Sequence, residues 1–100
     1  MSALLPGTPV AGASQSITAG AASSGITLTA STNQVQFWNA GSVLARYRTG
    51  VSAATATTSD TPIPPGAILV YTKPADHFFV AMITDTATTA VVHITPLEGN

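Results

Sequence analysis

Charged side chains are scarce in this chain of 100 residues. Three are positive and four are negative, which is 7% of the sequence against roughly 25% in an average soluble domain. Three cations cannot make the roughly six to ten phosphate contacts of a typical nucleic-acid-binding domain, so we expect no nucleic-acid partner. The polar surface must come from 16 Thr and 9 Ser, and hydroxyls lose their water at a lower cost than ions do. The composition favours a subunit covered by its neighbours; the alternative is a Thr-rich β protein with no such role.

Cysteine is absent, and no apolar run is long enough to cross a membrane. Without thiols there is neither a disulfide framework nor a thiolate metal site, and no stretch approaches about 18 uninterrupted apolar residues. The N-terminus lacks a basic residue before its apolar stretch, and Pro6, Gly7 and Pro9 break that stretch, unlike a signal peptide. We therefore expect a protein made in the cytoplasm, with no membrane partner.

Sustained helical periodicity is missing too. Thr, Val and Ile recur instead in short alternating runs separated by Gly, Pro, Asn and Asp, which is typical of strands. The sequence predicts an all-β fold, a small antiparallel β-sandwich or barrel of about 7–8 short strands. Residues 1–14 are predicted to form an extended N-terminal arm, and residues 15–100 a single β domain.

The strand pattern also predicts a hairpin and a core. Asn39, Ala40, Gly41 and Ser42 have turn chemistry, so residues 34–48 are predicted to form a hairpin. The predicted strands cover residues 15–19, 25–30, 34–39, 43–48, 67–73, 78–84 and 89–95, the last ending at Pro96. Alternation predicts a core of Val35, Phe37, Tyr47, Ile68, Val70, Phe79, Ala81, Ile83 and Val92.

No catalytic signature occurs in the chain. Asp76 and His77 are adjacent, and neighbours on a strand point to opposite faces, so they cannot address one substrate atom. No G-x-S-x-G stretch accompanies the serines, and no histidine spacing fits a metal site. His93 shares a strand face with Val91 and Thr95, which we expect to be the wetter face. We predict that the protein is not an enzyme and has no cofactor or metal.

The hairpin holds the best candidates for contact with a partner. Arg46 and Arg48 fall on one strand face, and Trp38 is expected to lie beside them across the hairpin, where a guanidinium can stack on its ring. Arginine and tryptophan are enriched at binding hot spots, although two arginines can also serve only to solubilise a strand. The arm, expected to be ordered by a partner, adds three apolar candidates: Leu4, Leu5 and Val10.

The order of these features resembles a family of phage proteins. "VQFWNAGS" leads into the return strand "ARYRTG", "PIPPGAILVYT" opens with a Pro-Gly turn, and "VVHITPLEGN" ends the chain. Over residues 33–100 this is similar to small virion proteins of tailed bacteriophages that resemble capsid decoration (cement) proteins. The resemblance implies a non-enzymatic structural protein on the capsid surface of the virion, which binds and stabilises the assembled capsid. It implies two partners, the major capsid protein and further copies of the chain, with a trimer favoured.

Two other functions stay open at this point. A receptor- or glycan-binding module of a tail fibre or adhesin would stack Trp38 and Tyr47 on sugar rings, and it predicts an exposed aromatic platform. A tail or connector subunit would instead show ring symmetry and contacts between sheets of neighbouring copies.

Overall fold

The computed structural model describes residues 8–30 and 32–98. Within those residues it contains nine β-strands and no helix, so the all-β prediction is confirmed. The strands are β1 (Thr8–Pro9), β2 (Gln15–Ala19), β3 (Ser24–Thr27), β4 (Gln34–Asn39), β5 (Ala45–Gly50), β6 (Thr61–Ile63), β7 (Ile68–Thr72), β8 (Phe79–Thr84) and β9 (Ala90–Glu98).

The strands form two antiparallel sheets packed face to face. Sheet A has the order β1-β9-β4-β7, with β2 lying on the same side of β9 as β1, and sheet B has the order β3-β8-β5-β6. Both sheets contribute to one core, which is the arrangement of a small β-sandwich. The largest fully buried apolar side chains of that core are Val35, Phe37, Val92 and Ile94 from sheet A and Ile63, Val80 and Met82 from sheet B.

The predicted 34–48 hairpin is wrong, because its two strands belong to different sheets. β4 pairs with β7 and β9, whereas β5 pairs with β6 and β8. Buried Asn39 holds the chain at the crossing between sheets. Its Nδ2 donates to the carbonyls of Val43 and Ile63, each at 2.9 Å, and its Oδ1 accepts from the Gly41 amide at 2.9 Å. The Asn-x-Gly turn that is common in hairpins serves here as a corner.

Five of the nine predicted core residues are buried or pack against the core: Val35, Phe37, Tyr47, Ala81 and Val92. In β7 the prediction chose the wrong face. Leu69 and Tyr71 point inward, while Ile68 and Val70 are exposed. The strand is apolar on both faces, so alternation gives no contrast from which to choose the inner one.

The same reversal occurs in β8. Val80 and Met82 point into the core, so Phe79 and Ile83 lie on the outer face of sheet B, contrary to prediction. Ala81 shares that outer face and is nevertheless fully buried. Something must therefore cover the centre of β8 from outside.

The arm is attached to its own chain over the part that the structure describes. β1 pairs with the end of β9, the Val10 amide donates to the Pro96 carbonyl at 2.9 Å, and Ala13 is buried. The prediction that a partner orders the arm is therefore wrong for residues 8–14, and Leu4 and Leu5 lie outside the described residues. Pro96 does not end β9, because a proline tolerates a strand position where its missing N–H is not needed.

Candidate functional site

The outer face of sheet A carries most of the exposed large apolar side chains. Of six in the described residues, four lie here: Trp38 at 42%, Ile68 at 60%, and Val70 and Val91 at 39% each. In the strand register Trp38 lies directly opposite Ile68 on one side and His93 on the other. These side chains form one continuous patch across β7, β4 and β9, as same-face neighbours on adjacent strands touch.

Trp38 is held in place by His93. The two rings stack at a centroid distance of 5.0 Å and an interplanar angle of 22°, so the imidazole covers one face of the indole, and Trp38 remains 42% exposed. This pairing differs from the predicted one, in which a guanidinium stacked on Trp38. The rigid, half-open aromatic surface is suited to contact with a flat apolar partner.

This face contains no formal charge. The residues that point outward from β2, β4, β7 and β9 include no Lys, Arg, Asp or Glu within the described part of the chain. Apart from the apolar patch they are hydroxyls and amides: Ser16, Thr18, Gln34, Gln36, Thr72 and Thr95, with His93 and the buried Leu97. Covering such a face removes no ion from water. An exposed apolar patch with a polar rim commonly marks a binding surface.

Arg46 lies on the opposite side of the molecule, on the outer face of sheet B. Its Nε donates to Oδ1 of Asp85 at 2.9 Å and its Nη2 to Oδ2 at 3.2 Å, and Nη1 donates to the Asp60 carbonyl at 3.0 Å. The bidentate pair holds the pKa of the Asp85 carboxyl below its ordinary value. Arg46 thus has an acidic partner within its own chain.

Arg48 is engaged in the same way. Its Nε donates to Oδ1 of Asp60 at 3.1 Å, and the other oxygen of that carboxylate accepts from the Thr57 amide at 2.7 Å. Burial of Asp60 acts toward a higher pKa, but the hydrogen bonds from Thr57 and Arg48 outweigh it and keep the pKa below its ordinary value. The loop of residues 51–60 is thereby anchored to β5.

The same loop also reaches β3, because the Ala56 amide donates to Oγ of Ser23 at 2.9 Å. β8 lies between β3 and β5, so the loop crosses over β8. This explains why both Ala56 and Ala81 are buried. The chain itself therefore covers the outer face of sheet B around Ala81.

Trp38 and the two arginines are consequently not neighbours. Trp38 projects from sheet A and the arginines from sheet B, with the core between them. The predicted site is divided because β4 and β5 never pair. Ile68 and Val70 were missed as surface residues, because their apolar type predicted burial and only the strand register reveals their orientation. Val91 lies on the exposed face that it shares with His93, as expected.

The two histidines are also far apart in the fold. Nδ1 of His77 lies 2.8 Å from Oγ1 of Thr49 on sheet B, while His93 lies on the outer face of sheet A. Among the described residues no three His, Cys, Asp or Glu side chains come together in a group that could hold a metal ion. No helix in that part of the chain is long and apolar enough to span a membrane.

Tyr47 points into the sandwich and not toward solvent. Its ring contacts Phe37 at a centroid distance of 4.6 Å and Tyr71 at 4.8 Å. Burial, and next the neighbouring Tyr71, raise the pKa of Tyr47 to about 12. The two-ring platform for sugars that required an exposed Tyr47 beside Trp38 is not formed.

Lys73 is a buried cation that the sequence did not single out. Its Nζ donates to the Thr32 carbonyl at 2.7 Å, and burial lowers its pKa. Its backbone amide also donates to the Asn33 carbonyl at 2.8 Å. The side chain thus fixes the segment before β4 to the end of β7, which is a structural task.

Comparisons with models of protein families, with curated proteins and with solved structures find no match to this chain.

Proposed function

We propose that this chain is a non-enzymatic structural protein that binds and stabilises an assembled phage capsid, as decoration proteins do. The attachment surface is the outer face of sheet A, and the major capsid protein is its partner. One observation carries the proposal: an uncharged face with an exposed apolar patch lies on one side of the sandwich, while the two arginines of the other side are paired within the chain.

The size of the face fits such a role. Its four main strands, β2, β4, β7 and β9, have 5, 6, 5 and 9 residues. At about 3.3 Å per residue and about 4.8 Å between strands they cover roughly 400 Å² in projection. That is about half of the ~800 Å² that each partner contributes to a standard protein–protein interface. A shell presents the same binding site many times, so a modest interface per copy still gives firm attachment when copies are linked.

Trp38 is the residue on which attachment should depend most. It lies near the middle of the patch, between Ile68 and His93, and truncating a central tryptophan at an interface commonly costs 2 kcal/mol or more, which is about thirtyfold in affinity. Phe78 offers a matched control, since its exposure of 44% is close to the 42% of Trp38 but it lies beside β8 of sheet B.

The test is co-sedimentation of the purified protein with emptied and mature heads of tailed phages. We expect the wild type and the Phe78→Ala variant to sediment with heads, and Trp38→Ala to lose about thirtyfold in affinity while keeping its circular-dichroism spectrum. Failure of the wild type to bind any head, or full binding by Trp38→Ala, would contradict the proposal. Binding of the wild type to a glycan array or to purified tails instead would favour the receptor-binding or tail-subunit alternative.

A further inference from the structure

The sandwich has four strand edges, and they differ in how well they are closed. An open edge presents unpaired N–H and C=O groups to any strand that approaches, and proteins usually block such edges with proline, charge or covering segments. In sheet A one edge is β7 and the other is formed by β1 and β2 together, and in sheet B the edges are β3 and β6.

Three of these edges are closed in part. β6 has three residues, and the one whose backbone faces outward is Pro62, which has no N–H. On the other side of the sandwich the side chain of Gln15 donates to the Thr27 carbonyl at 3.1 Å, and the Gly20 carbonyl accepts from the Thr84 amide at 2.8 Å. These bonds tie β2 to sheet B at both ends and use an outward carbonyl of β3.

β7 is the open edge. The Asn39 amide donates to the Ala67 carbonyl and the Lys73 amide donates to the Asn33 carbonyl, which fixes the phase of the β4–β7 ladder. In that phase the odd-numbered residues of β7 bond to β4, so the backbone groups of the even-numbered ones face away from the sheet. Those residues are Ile68, Val70 and Thr72. Within the described residues no strand pairs with them on that side, and β7 contains neither proline nor charge.

We infer that β7 pairs antiparallel with β7 of a second copy of this chain. The three outward residues are symmetric about Val70, so a two-fold axis there places Val70 opposite its own copy and Ile68 opposite Thr72 of the second copy. Each of the three resulting pairs exchanges two backbone hydrogen bonds, so the edge is fully satisfied by itself. Any other strand would have to match this pattern by its own sequence.

The position of the nearest charged residue and the orientation of the apolar patches are both compatible with this pairing. In the same register Lys73 faces Ala67 of the second copy, so no like charges meet. Sheet A becomes continuous across the two-fold axis, and the two apolar patches, each including Trp38, Ile68 and Val70, join into one surface on the same side. The dimer is independent of the proposed capsid attachment, and it differs from the trimer that the phage resemblance favours.

The absence of native cysteine makes the register directly testable. In the inferred dimer the two Val70 Cα atoms are about 5.5 Å apart, within the range that a disulfide spans. Thr72→Cys is the matched control on the same strand and face, because two Thr72 positions are separated by about 13 Å along the strands. Under mild oxidation we expect a disulfide-linked dimer from Val70→Cys and from Ile68→Cys/Thr72→Cys, and none from Thr72→Cys.

Light scattering on the protein without cross-links is the second measurement. The wild type is expected to have the mass of a dimer. Val70→Lys places two ammonium groups opposite each other, so this variant is expected to have the mass of a monomer and an unchanged circular-dichroism spectrum. Thr18→Lys adds the same charge to the same sheet at the far edge and should stay dimeric. A monomeric or trimeric wild type, a dimeric Val70→Lys variant, or equal cross-linking of Val70→Cys and Thr72→Cys would overturn the inference.

Discussion

The two outer faces of the sandwich use the scarce charge of this chain in opposite ways. On sheet B, Arg46 and Arg48 bind Asp85 and Asp60, so four of the seven charged residues neutralise one another around a loop that the chain folds over its own sheet. On sheet A the outward side chains carry no formal charge, and Trp38 is partly open to solvent. The contrast teaches that rare charged residues can be paired with each other within the chain and need not be available to a partner.

The reason is energetic. An ion pair whose hydrogen bonds are satisfied within the chain gains little from a new partner, and covering it would require removal of the remaining water from both ions. An apolar patch gains free energy in proportion to the area that a partner removes from water. The two arginines that stand out in the sequence therefore mark strong interactions of this fold, and those interactions are ion pairs within the chain.

The largest expected effect is a difference in unfolding free energy between variants at a buried and at an exposed residue of the same strand. Phe37 is fully buried and Trp38 is its exposed neighbour in β4. Truncating Phe37 to Ala removes a core ring and should cost about 3–5 kcal/mol of unfolding free energy, much of the 5–15 kcal/mol that is typical of a domain. Trp38→Ala should cost far less, about 1 kcal/mol, and mainly affect binding. Urea denaturation of both variants measures the difference, and equal losses would mean that Trp38 belongs to the core.

Strand β4 also shows what the sequence can and cannot predict. Its bounds and inner face were predicted correctly because Val35 and Phe37 alternate with the polar Gln34 and Gln36. β7 offers no such contrast, so its inner and outer faces were exchanged, and the apolar patch beside Trp38 was missed. Local pattern reveals a face only where the two faces differ in polarity.

The expected proximity of Trp38 to the two arginines was wrong for a different reason. Arg46 and Asp85 are 39 positions apart in the chain, and no local pattern connects them. The Asn39-Ala40-Gly41 turn fits both a hairpin and a corner between sheets, and only the buried hydrogen bonds of Asn39 distinguish the two. Trp38 was identified correctly as a surface residue, but its neighbours depend on the sheet topology.

A second test concerns the corner that separates the two faces. A Cβ at Gly41 would lie 2.7 Å from Cβ and 2.8 Å from Cα of Ala90, so the backbone of β9 would have to move. Gly41→Ala should therefore lower the unfolding free energy by about 1–3 kcal/mol. Gly20→Ala is the control, since its Cβ would meet Thr89 at an ordinary 3.7 Å. Equal stability of the two variants in urea would mean that the corner is not tightly packed.

A third, smaller effect should appear on sheet B. Arg48→Gln breaks an exposed pair with Asp60, which is worth about 1 kcal/mol or less, and added salt should reduce the difference from wild type. Arg46→Gln releases Asp85 and should also lower the melting temperature. Neither change should alter binding to phage heads. Lost head binding with unchanged melting would instead restore the arginines as partner contacts.

The last test concerns two tyrosines in the interior between the outer faces. Their ionisation affects stability only at high pH, so no effect is expected at neutral pH. Burial raises the pKa of Tyr47 to about 12 and also raises the pKa of Tyr71, both from an ordinary value of 10.0. The folded state thus holds these phenolic protons more tightly than the unfolded state, and this contribution to stability is complete below pH 10 and is lost as the pH rises to about 12. Lys73 acts in the opposite direction, because burial lowers its pKa. Urea midpoints of the wild type should therefore fall above pH 10, and those of Tyr47→Phe should fall less steeply. An equally steep fall in Tyr47→Phe would show that another group destabilises the protein at high pH.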